Sequence, residues 1–193
     1  RNEFYEYVKD WIENEKKTAN ELIRFGWKIC RVNKIPARNE KKILKRFREQ
    51  FVKLHLWRMI EYEMLVYLDS DCLVVNNINK IFQLHQNLDN NKYMIGVSRD
   101  IIGNNWVNTF NMGVFVIRPN LNEFDRLLAL KNDPNFKFEV GWAEQGFLNQ
   151  VYKNKWFEIG FKFNANIAVY RYLRKFWDSQ EKNISIIHFT LVK

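Results

Sequence analysis

The sequence contains few cysteines, prolines and glycines: 2, 3 and 7 among 193 residues. Two cysteines, Cys30 and Cys72, suit neither a disulfide framework nor a cysteine-based zinc site, so we expect reduced thiols in a reducing compartment. The sequence also lacks a linker rich in proline or glycine, an internal repeat and a low-complexity block. We therefore expect residues 1–193 to form one domain.

Long apolar runs are also missing. Near the acidic motif described below, the longest run is MLVYL, residues 64–68. A helix that spans a membrane needs about 20 apolar residues, so we expect no membrane span in this chain. Hydrophobic residues still make up 47% of the sequence and aromatic residues 16%, which indicates a globular protein with a buried core.

Positive charge is in excess, with a formal net charge of +9, and it is densest in KKILKRFREQFVK, residues 41–53. Such a run can bind nucleic acid. However, its apolar residues recur every three or four positions, as in an amphipathic helix with one buried stripe: Ile43, Phe47, Phe51, Leu54 and Trp57. No recognition motif accompanies the charge, so we expect a solvated basic face and no nucleic-acid partner.

Predicted strands and helices alternate along the chain. Strands are expected at residues 27–32, 64–68, 93–98, 113–119 and 184–189, and helices at about 5–25, 41–62, 76–87, 120–132 and 143–154. This order predicts an α/β fold with several parallel strands. In such sheets the ligand site lies beyond the carboxyl ends of the strands.

Two aspartates, Asp69 and Asp71, interrupt the apolar stretch EMLVYLDSDCLVV, residues 63–75. Buried carboxylates are costly unless something positive meets them. This is therefore either the solvated end of a strand or the site of a cation. In extended backbone, residues i and i+2 project to the same side, about 6.5–7 Å apart. The pair could thus bind one hard cation such as Mg²⁺ or Mn²⁺.

Four blocks together resemble the glycogenin-like glycosyltransferases of family 8. They are residues 51–82, which contain the D-x-D motif, FNMGVFVIRP at 110–119, AEQGFLNQVY at 143–152 and IIHFTLVK at 186–193. The short spacing from His188 to Lys193 leans towards the plant glucuronosyltransferase-like branch. The resemblance implies a GT-A fold, a Rossmann-like mixed sheet flanked by helices.

The resemblance also implies an activity and a cofactor. It implies a retaining enzyme that moves a hexose-type sugar from a UDP-sugar to a glycan or protein acceptor, using Mn²⁺ or Mg²⁺. By position, the metal ligands would be Asp69, Asp71 and His188. Taken alone, His188 would more readily be interpreted as a hydrogen-bonded histidine at a strand end. A homodimer is left open.

Further family positions concern the nucleotide-sugar. By position, these contacts fall on Lys53, Asp69, Ser70, Asp71, Asp100, Asn111, Met112 and Lys193. Other interpretations stay open at this point. Lys53 could be a helix lysine with its stem on apolar surface, and Lys193 a solvated lysine. Asp100 or Asn111 could instead stabilise a turn.

Two residues, Glu144 and Gln145, match the family Asp-Gln pair and are the candidate catalytic residues. In a retaining transfer, a carboxylate could form a transient covalent bond with the sugar. Alternatively, the acceptor attacks from the face of the leaving group while a neutral amide stabilises positive charge. Gln145 suits the second role, and we expect Glu144 to bind sugar hydroxyls. A polar helix N-terminus is the structural alternative for both.

The sequence departs from the family pattern in several places. Nothing in it matches the first nucleotide-binding strand of the family, so we expect a domain that is incomplete at its N-terminus. Family glycines are replaced by Trp142, Ala143 and Leu191. These changes favour a rival interpretation, a catalytically weakened relative that binds nucleotide-sugar or glycan without turnover. We expect a cytoplasmic protein, or one of the Golgi lumen if an N-terminal anchor lies outside this sequence.

Overall fold

The computed structural model describes residues 15–37, 41, 43, 47–88 and 92–190. The chain divides into two compact units, with the boundary between Asn33 and Lys34. In the first unit, residues 15–24 are helical (α1), and the turn that follows contains Gly26 with a φ of +88°. The remainder of the predicted first helix, residues 5–14, lies outside the described residues. The prediction of one domain over 1–193 stays a prediction.

The strand predicted at residues 27–32 is wrong, because these residues have no regular secondary structure. A strand forms only where a neighbouring strand supplies hydrogen bonds, and a short apolar pattern cannot show whether that neighbour exists.

Strands in the described part of the second unit form two sheets. They are β1 Leu65–Leu68, β2 Cys72–Val74, β3 Ile95–Ile102, β4 Asn105–Ile117, β5 Trp156–Glu158, β6 Ala165–Asn166 and β7 Ile186–His188. The larger sheet has the order β1-β4-β3-β5 and the smaller one β2-β7-β6. Only the pairs β3–β5 and β6–β7 are parallel among the pairings of these strands, since the long strand β4 runs antiparallel to both of its neighbours. The mixed sheet is confirmed, with less parallel pairing than expected.

Helices flank these sheets. The α-helices are α2 Leu121–Asn132, α3 Ala143–Val151, α4 Ile167–Tyr172 and α5 Arg174–Gln180, and the 3₁₀ helices are Gln50–Arg58, Asn79–Asn87, Val140–Trp142, Phe161–Phe163 and Glu181–Asn183. The helix predicted at 120–132 is confirmed as α2, and the one predicted at 143–154 is confirmed as α3, which ends earlier, at Val151. The predicted basic helix ends at Arg58 rather than at 62 and is a 3₁₀ helix from residue 50. Its buried residues Phe51, Leu54 and Trp57 recur every three positions, which matches three residues per turn.

Aromatic packing fixes α3 and the helix Gln50–Arg58 against the larger sheet. Trp57 stacks on Phe115 of β4 and on Tyr152, with ring centroids 6.0 and 6.1 Å apart. Phe51 packs against Phe147 of α3 at 5.9 Å. All five side chains are at most 1% exposed. Both helices are therefore packed beside the carboxyl end of β1, where the acidic motif lies.

Among the described residues, no helix combines the length and the apolar character that crossing a membrane requires.

Candidate active site

A tight turn at the end of β1 presents the two aspartates. The amide of Asp69 donates to the carbonyl of Gly113 (2.7 Å), and the amide of Cys72 donates to the carbonyl of Asp69 (3.0 Å). The Asp69 carboxylate is oriented by Tyr67, whose hydroxyl donates to Oδ1 at 2.7 Å. The Asp69–Asp71 segment is therefore a turn between strands β1 and β2. The predicted contact residue Ser70 is exposed at the tip of this turn.

The smaller sheet brings His188 to this turn. Strand β7 pairs with β2 so that His188 lies opposite Cys72, and the amide of Phe189 donates to the carbonyl of Asp71 (2.9 Å). His188 Nε2 lies 3.3 Å from Asp71 Oδ1 and 4.0 Å from Asp69 Oδ2. The structure thus brings together the three predicted metal ligands, although His188 is more than 110 residues away in sequence.

A chain of hydrogen bonds fixes the imidazole ring. His188 Nδ1 lies 2.9 Å from Asn164 Oδ1, and Asn164 Nδ2 donates to Asn111 Oδ1 at 3.1 Å. Asn164 therefore offers its acceptor oxygen to the ring, so Nδ1 carries the proton and the lone pair of Nε2 faces the carboxylates. Burial lowers the pKa of His188, against the opposing effect of Asp71 and Asp69. A neutral imidazole facing two carboxylates suits a divalent cation between them.

Cys72 is a second neighbour of this cluster. Its sulfur atom, Asp71 and His188 have ligand atoms within 4.8 Å of one another. Burial raises the pKa of the Cys72 thiol to about 12, and the thiol contacts the carbonyl oxygen of Gly113 at 3.7 Å. A protonated, soft sulfur atom is a poor ligand for Mg²⁺ or Mn²⁺. The oxygen atoms of Asp69 and Asp71 with the imidazole of His188 are therefore the better donor set.

Lys53 lies buried beneath the acidic turn. Its ammonium group is 2.9 Å from Glu144 Oε1 and 3.0 Å from Asp69 Oδ1, and it donates to the carbonyl of Met112 at 3.3 Å. Burial lowers the pKa of Lys53, but the nearby carboxylates of Glu144 and Asp69 together raise it by more than that. The pKa of Lys53 is therefore raised overall. Lys53 is therefore charged and has three protein acceptors. Its predicted contact with a nucleotide-sugar stays a prediction.

The two candidate catalytic residues lie in the first turn of α3. The Glu144 side chain is only 6% exposed and faces Lys53. Burial raises the pKa of Glu144, and Lys53 partly opposes that rise. Gln145 accepts a hydrogen bond from the amide of Met112 (3.1 Å) and donates to Asp100 Oδ2 (2.9 Å). The structure therefore holds the Gln145 amide in one orientation.

The remaining predicted residues differ in their placement. Asp100 also accepts from the amide of Ile101 at 2.9 Å, and burial raises its pKa. Asn111 accepts from the amide of Gly113 (2.9 Å) within β4, where the pairing with β3 is irregular, rather than in a turn. Met112 contributes only backbone atoms to the site, because its side chain is buried, with 1% exposed. Lys193 and Leu191 lie outside the described residues. Roles in sugar binding stay predictions for all of them.

Two neighbours of the site were missed by the sequence analysis. Tyr67 precedes Asp69 by two residues, so the alternation of a strand already indicated that both project to the same side. Asn164 gave no comparable signal. It lies in a segment outside the matched blocks, and only the folded chain brings it to His188.

Gly113 sets how closely the imidazole can approach β4. A Cβ atom built on Gly113 would fall on the ring of His188, 2.6 Å from Nε2. We expect Gly113→Ala to displace the ring and to destabilise the fold by about 1–3 kcal/mol, as overpacked cores do. Urea unfolding measures this, with Gly141→Ala as the control, since a Cβ there meets its nearest atom at 3.4 Å. Equal stability of the two variants would contradict the expectation.

The sequence is similar to those of known glycosyltransferases. The family model described as "Glycosyl transferase family 8" matches residues 8–192. Mouse glycogenin-1 is 31% identical over 144 residues, which cover 71% of this chain and 38% of that protein. The putative UDP-glucuronate:xylan alpha-glucuronosyltransferase 3 of Arabidopsis thaliana is 26% identical over 164 residues, which cover 84% of this chain and 22% of that protein. The chain thus spans well under half the length of these relatives.

A solved structure shows the same fold. The crystal structure of the glycosyltransferase GlyE of Streptococcus pneumoniae TIGR4 has a TM-score of 0.53 and 21% identity, over 72% of this chain and 36% of that one. The predicted GT-A fold is thereby confirmed. So is the resemblance drawn from the four sequence blocks, since relatives of both the glycogenin and the plant glucuronosyltransferase type are found.

Proposed function

The chain belongs to glycosyl transferase family 8, and on that premise we propose that it transfers a hexose-type sugar from a UDP-sugar with retention of configuration. The bond between the anomeric carbon and the UDP oxygen breaks, and an acceptor oxygen bonds to that carbon. UDP leaves with the proton of the acceptor hydroxyl. A divalent cation, Mn²⁺ or alternatively Mg²⁺, would be held by side chains of this site and would help to bind the diphosphate.

The observation that carries this proposal is the convergence of Asp69, Asp71 and His188. Two carboxylates and a neutral imidazole form a donor set for Mn²⁺ or Mg²⁺, and His188 is oriented by Asn164. A cation held by these side chains would act as a Lewis acid that stabilises the negative charge of the departing diphosphate.

Neighbouring residues position the reacting groups. Gln145 offers a neutral amide whose orientation is fixed by Met112 and Asp100, and this favours electrostatic stabilisation of the sugar over covalent attack. Glu144 is paired with Lys53 at 2.9 Å, so its carboxylate is neutralised and buried. We therefore propose that Glu144 balances the charge of Lys53 and that the amide of Gln145 faces the sugar ring.

Donor and acceptor classes follow from the relatives. The name of the plant relative describes a UDP-sugar, UDP-glucuronate, and a glycan, xylan. For this chain we propose a UDP-sugar donor and a glycan or protein acceptor. Location in the cytoplasm, or in the Golgi lumen if an anchor exists elsewhere in the protein, stays a prediction, and so does assembly as a homodimer.

A thermal-shift screen tests the proposal. We expect UDP-glucose, UDP-galactose, UDP-GlcNAc, UDP-xylose or UDP-glucuronate to raise the melting temperature in Mn²⁺ and to have little effect in EDTA. A ligand at 100 times its dissociation constant adds about 2.7 kcal/mol to the free energy of unfolding. Absence of any shift with all five donors, in Mn²⁺ and in Mg²⁺, would refute the proposal.

The weakened relative is the second candidate, and Ala143 favours it. Ala143 has a φ of 47°, a backbone conformation that favours glycine, at a position where the family pattern has glycine. Strain directly before Glu144 could impair turnover without preventing binding. Measuring the free sugar released from a UDP-sugar separates the two candidates. The active enzyme would release sugar, whereas the weakened relative would bind UDP in Mn²⁺ and release no sugar.

A further inference from the structure

A cavity adjoins the candidate active site. It has a volume of about 330 Å³, at the small end of the range for ligand pockets, and lies between the β3–β4 hairpin and α3. Asp100 and Gln145, which are joined by a hydrogen bond of 2.9 Å, line this cavity. Since both residues also belong to the active-site cluster, a molecule in the cavity would lie beside the site of the proposed transfer.

Polar groups in the cavity are free to bind a ligand. Within the described part of the chain, the side chains of Asn108, Gln150 and Lys153 make no hydrogen bond or ion pair with the protein. Each amide can donate and accept hydrogen bonds, and the ammonium can donate. Asn149, by contrast, is satisfied by the backbone of Phe110 and does not take part. The cavity thus presents separate donors and acceptors, which is typical of sites that bind hydroxyl groups.

An aromatic side chain completes the lining. Trp142 lines the cavity and is 51% exposed. Its turn can approach α3 because residue 146 is glycine: a Cβ there would collide with the carbonyl oxygen of Glu139 and lie 3.3 Å from Cβ of Trp142. Trp142 stands where the family pattern has glycine, so the exposed indole is a departure from that pattern.

We propose that this cavity binds a sugar ring of the acceptor, and that Trp142 packs against the C–H face of that ring. Asn108 and Gln150 bind its hydroxyl groups. The proposal rests on the proposed function, because it assigns the acceptor of that same reaction. A peptide acceptor is disfavoured, since the lining offers isolated polar groups around one indole rather than an apolar groove or an unpaired strand edge.

Saturation-transfer NMR tests the proposal with methyl glycosides of glucose, galactose, mannose and xylose. We expect at least one of them to receive saturation from the wild-type protein, with the strongest effect on its C–H protons. Trp142→Ala should weaken binding about tenfold or more, since the indole supplies most of the apolar contact. The matched control is Trp106→Ala, which removes a Trp that is 38% exposed and lines a different cavity. This control should bind like the wild type.

A second variant and a second ligand keep the result interpretable. Gln150→Ala, on the exposed face of α3, should weaken the same glycoside even if Trp142→Ala folds poorly. Equal binding by wild type, Trp142→Ala and Gln150→Ala overturns the proposal, as does the absence of binding by every glycoside or binding only by an unglycosylated peptide. Binding of UDP in Mn²⁺ is measured on the same samples. If it persists while the glycoside result is negative, only the acceptor proposal fails.

Discussion

Lys53→Met is expected to destabilise the protein by about 3–5 kcal/mol, the usual result of removing one partner of a buried ion pair. The Lys53 side chain is 4% exposed and lies within 3.0 Å of carboxylate oxygens of both Glu144 and Asp69. Methionine keeps the length of the side chain but leaves two carboxylates close together without a cation. A domain is stable by only about 5–15 kcal/mol, so this loss would be large. Urea unfolding measures it, with the exposed Lys155→Met as control.

The loss should depend on pH in a defined direction. Burial raises the pKa of Glu144 above its ordinary 4.5, and Lys53 opposes that rise, so the variant should raise it further. The folded variant then binds a proton on Glu144 more tightly than the unfolded chain does. The contribution of Glu144 to the stability of the variant is therefore greatest below pH 4.5, and it is lost as the pH rises through the pKa of the folded state.

Two further observations bear on the same prediction. Adding Glu144→Gln to Lys53→Met should recover part of the stability at pH 7, because the double variant removes one uncompensated charge. A deficit below 1 kcal/mol, or one of equal size at pH 4 and pH 7, would contradict the assignment of Lys53 and Glu144 as a buried pair.

The proximity of the candidate metal ligands could be predicted because their signals are local or belong to recognisable blocks. Asp69 and Asp71 follow an apolar strand directly, which marks the end of β1, but the structure places them in a turn between β1 and β2, so the turn and not strand alternation brings them to one site. His188 could be placed beside them only through the family resemblance. The physical cause of that proximity is the antiparallel pairing of β2 with β7, which joins residues far apart in the chain.

Other contacts could not be predicted because they depend on packing between elements. The sequence showed Lys53 on a helix and Glu144 on another, but not that the two helices pack on the same end of the sheet. The contact of Asn164 with His188 could not be predicted either, because Asn164 follows a 3₁₀ turn outside the matched blocks and only the folded chain brings it to the imidazole. The error at residues 27–32 has the opposite cause: an apolar pattern was present without the neighbouring strand that a strand requires.

Asp71→Asn is expected to lower the affinity for Mn²⁺ and for UDP in Mn²⁺ by more than about 100-fold, since even residues that only orient metal ligands contribute 10–100-fold. Asparagine keeps the shape of the side chain and removes the charge that faces His188 at 3.3 Å. Any Mn²⁺-dependent hydrolysis of a UDP-sugar should fall by at least the same factor. Electron paramagnetic resonance of free Mn²⁺ measures metal binding, and calorimetry measures UDP binding.

The Asp71→Asn variant and its control show whether Asp71 binds the metal or only supports the fold. Asp71 is partly exposed, at 30%, and its carbonyl, which bonds the amide of Phe189, is unchanged in the variant, so the fold should persist. Asp125→Asn, exposed on α2, removes the same charge elsewhere and should bind Mn²⁺ as the wild type does. Binding of UDP is the decisive readout, because the active enzyme and the weakened relative both require it. If Asp71→Asn bound Mn²⁺ and UDP normally, the cation would have to be held by other side chains.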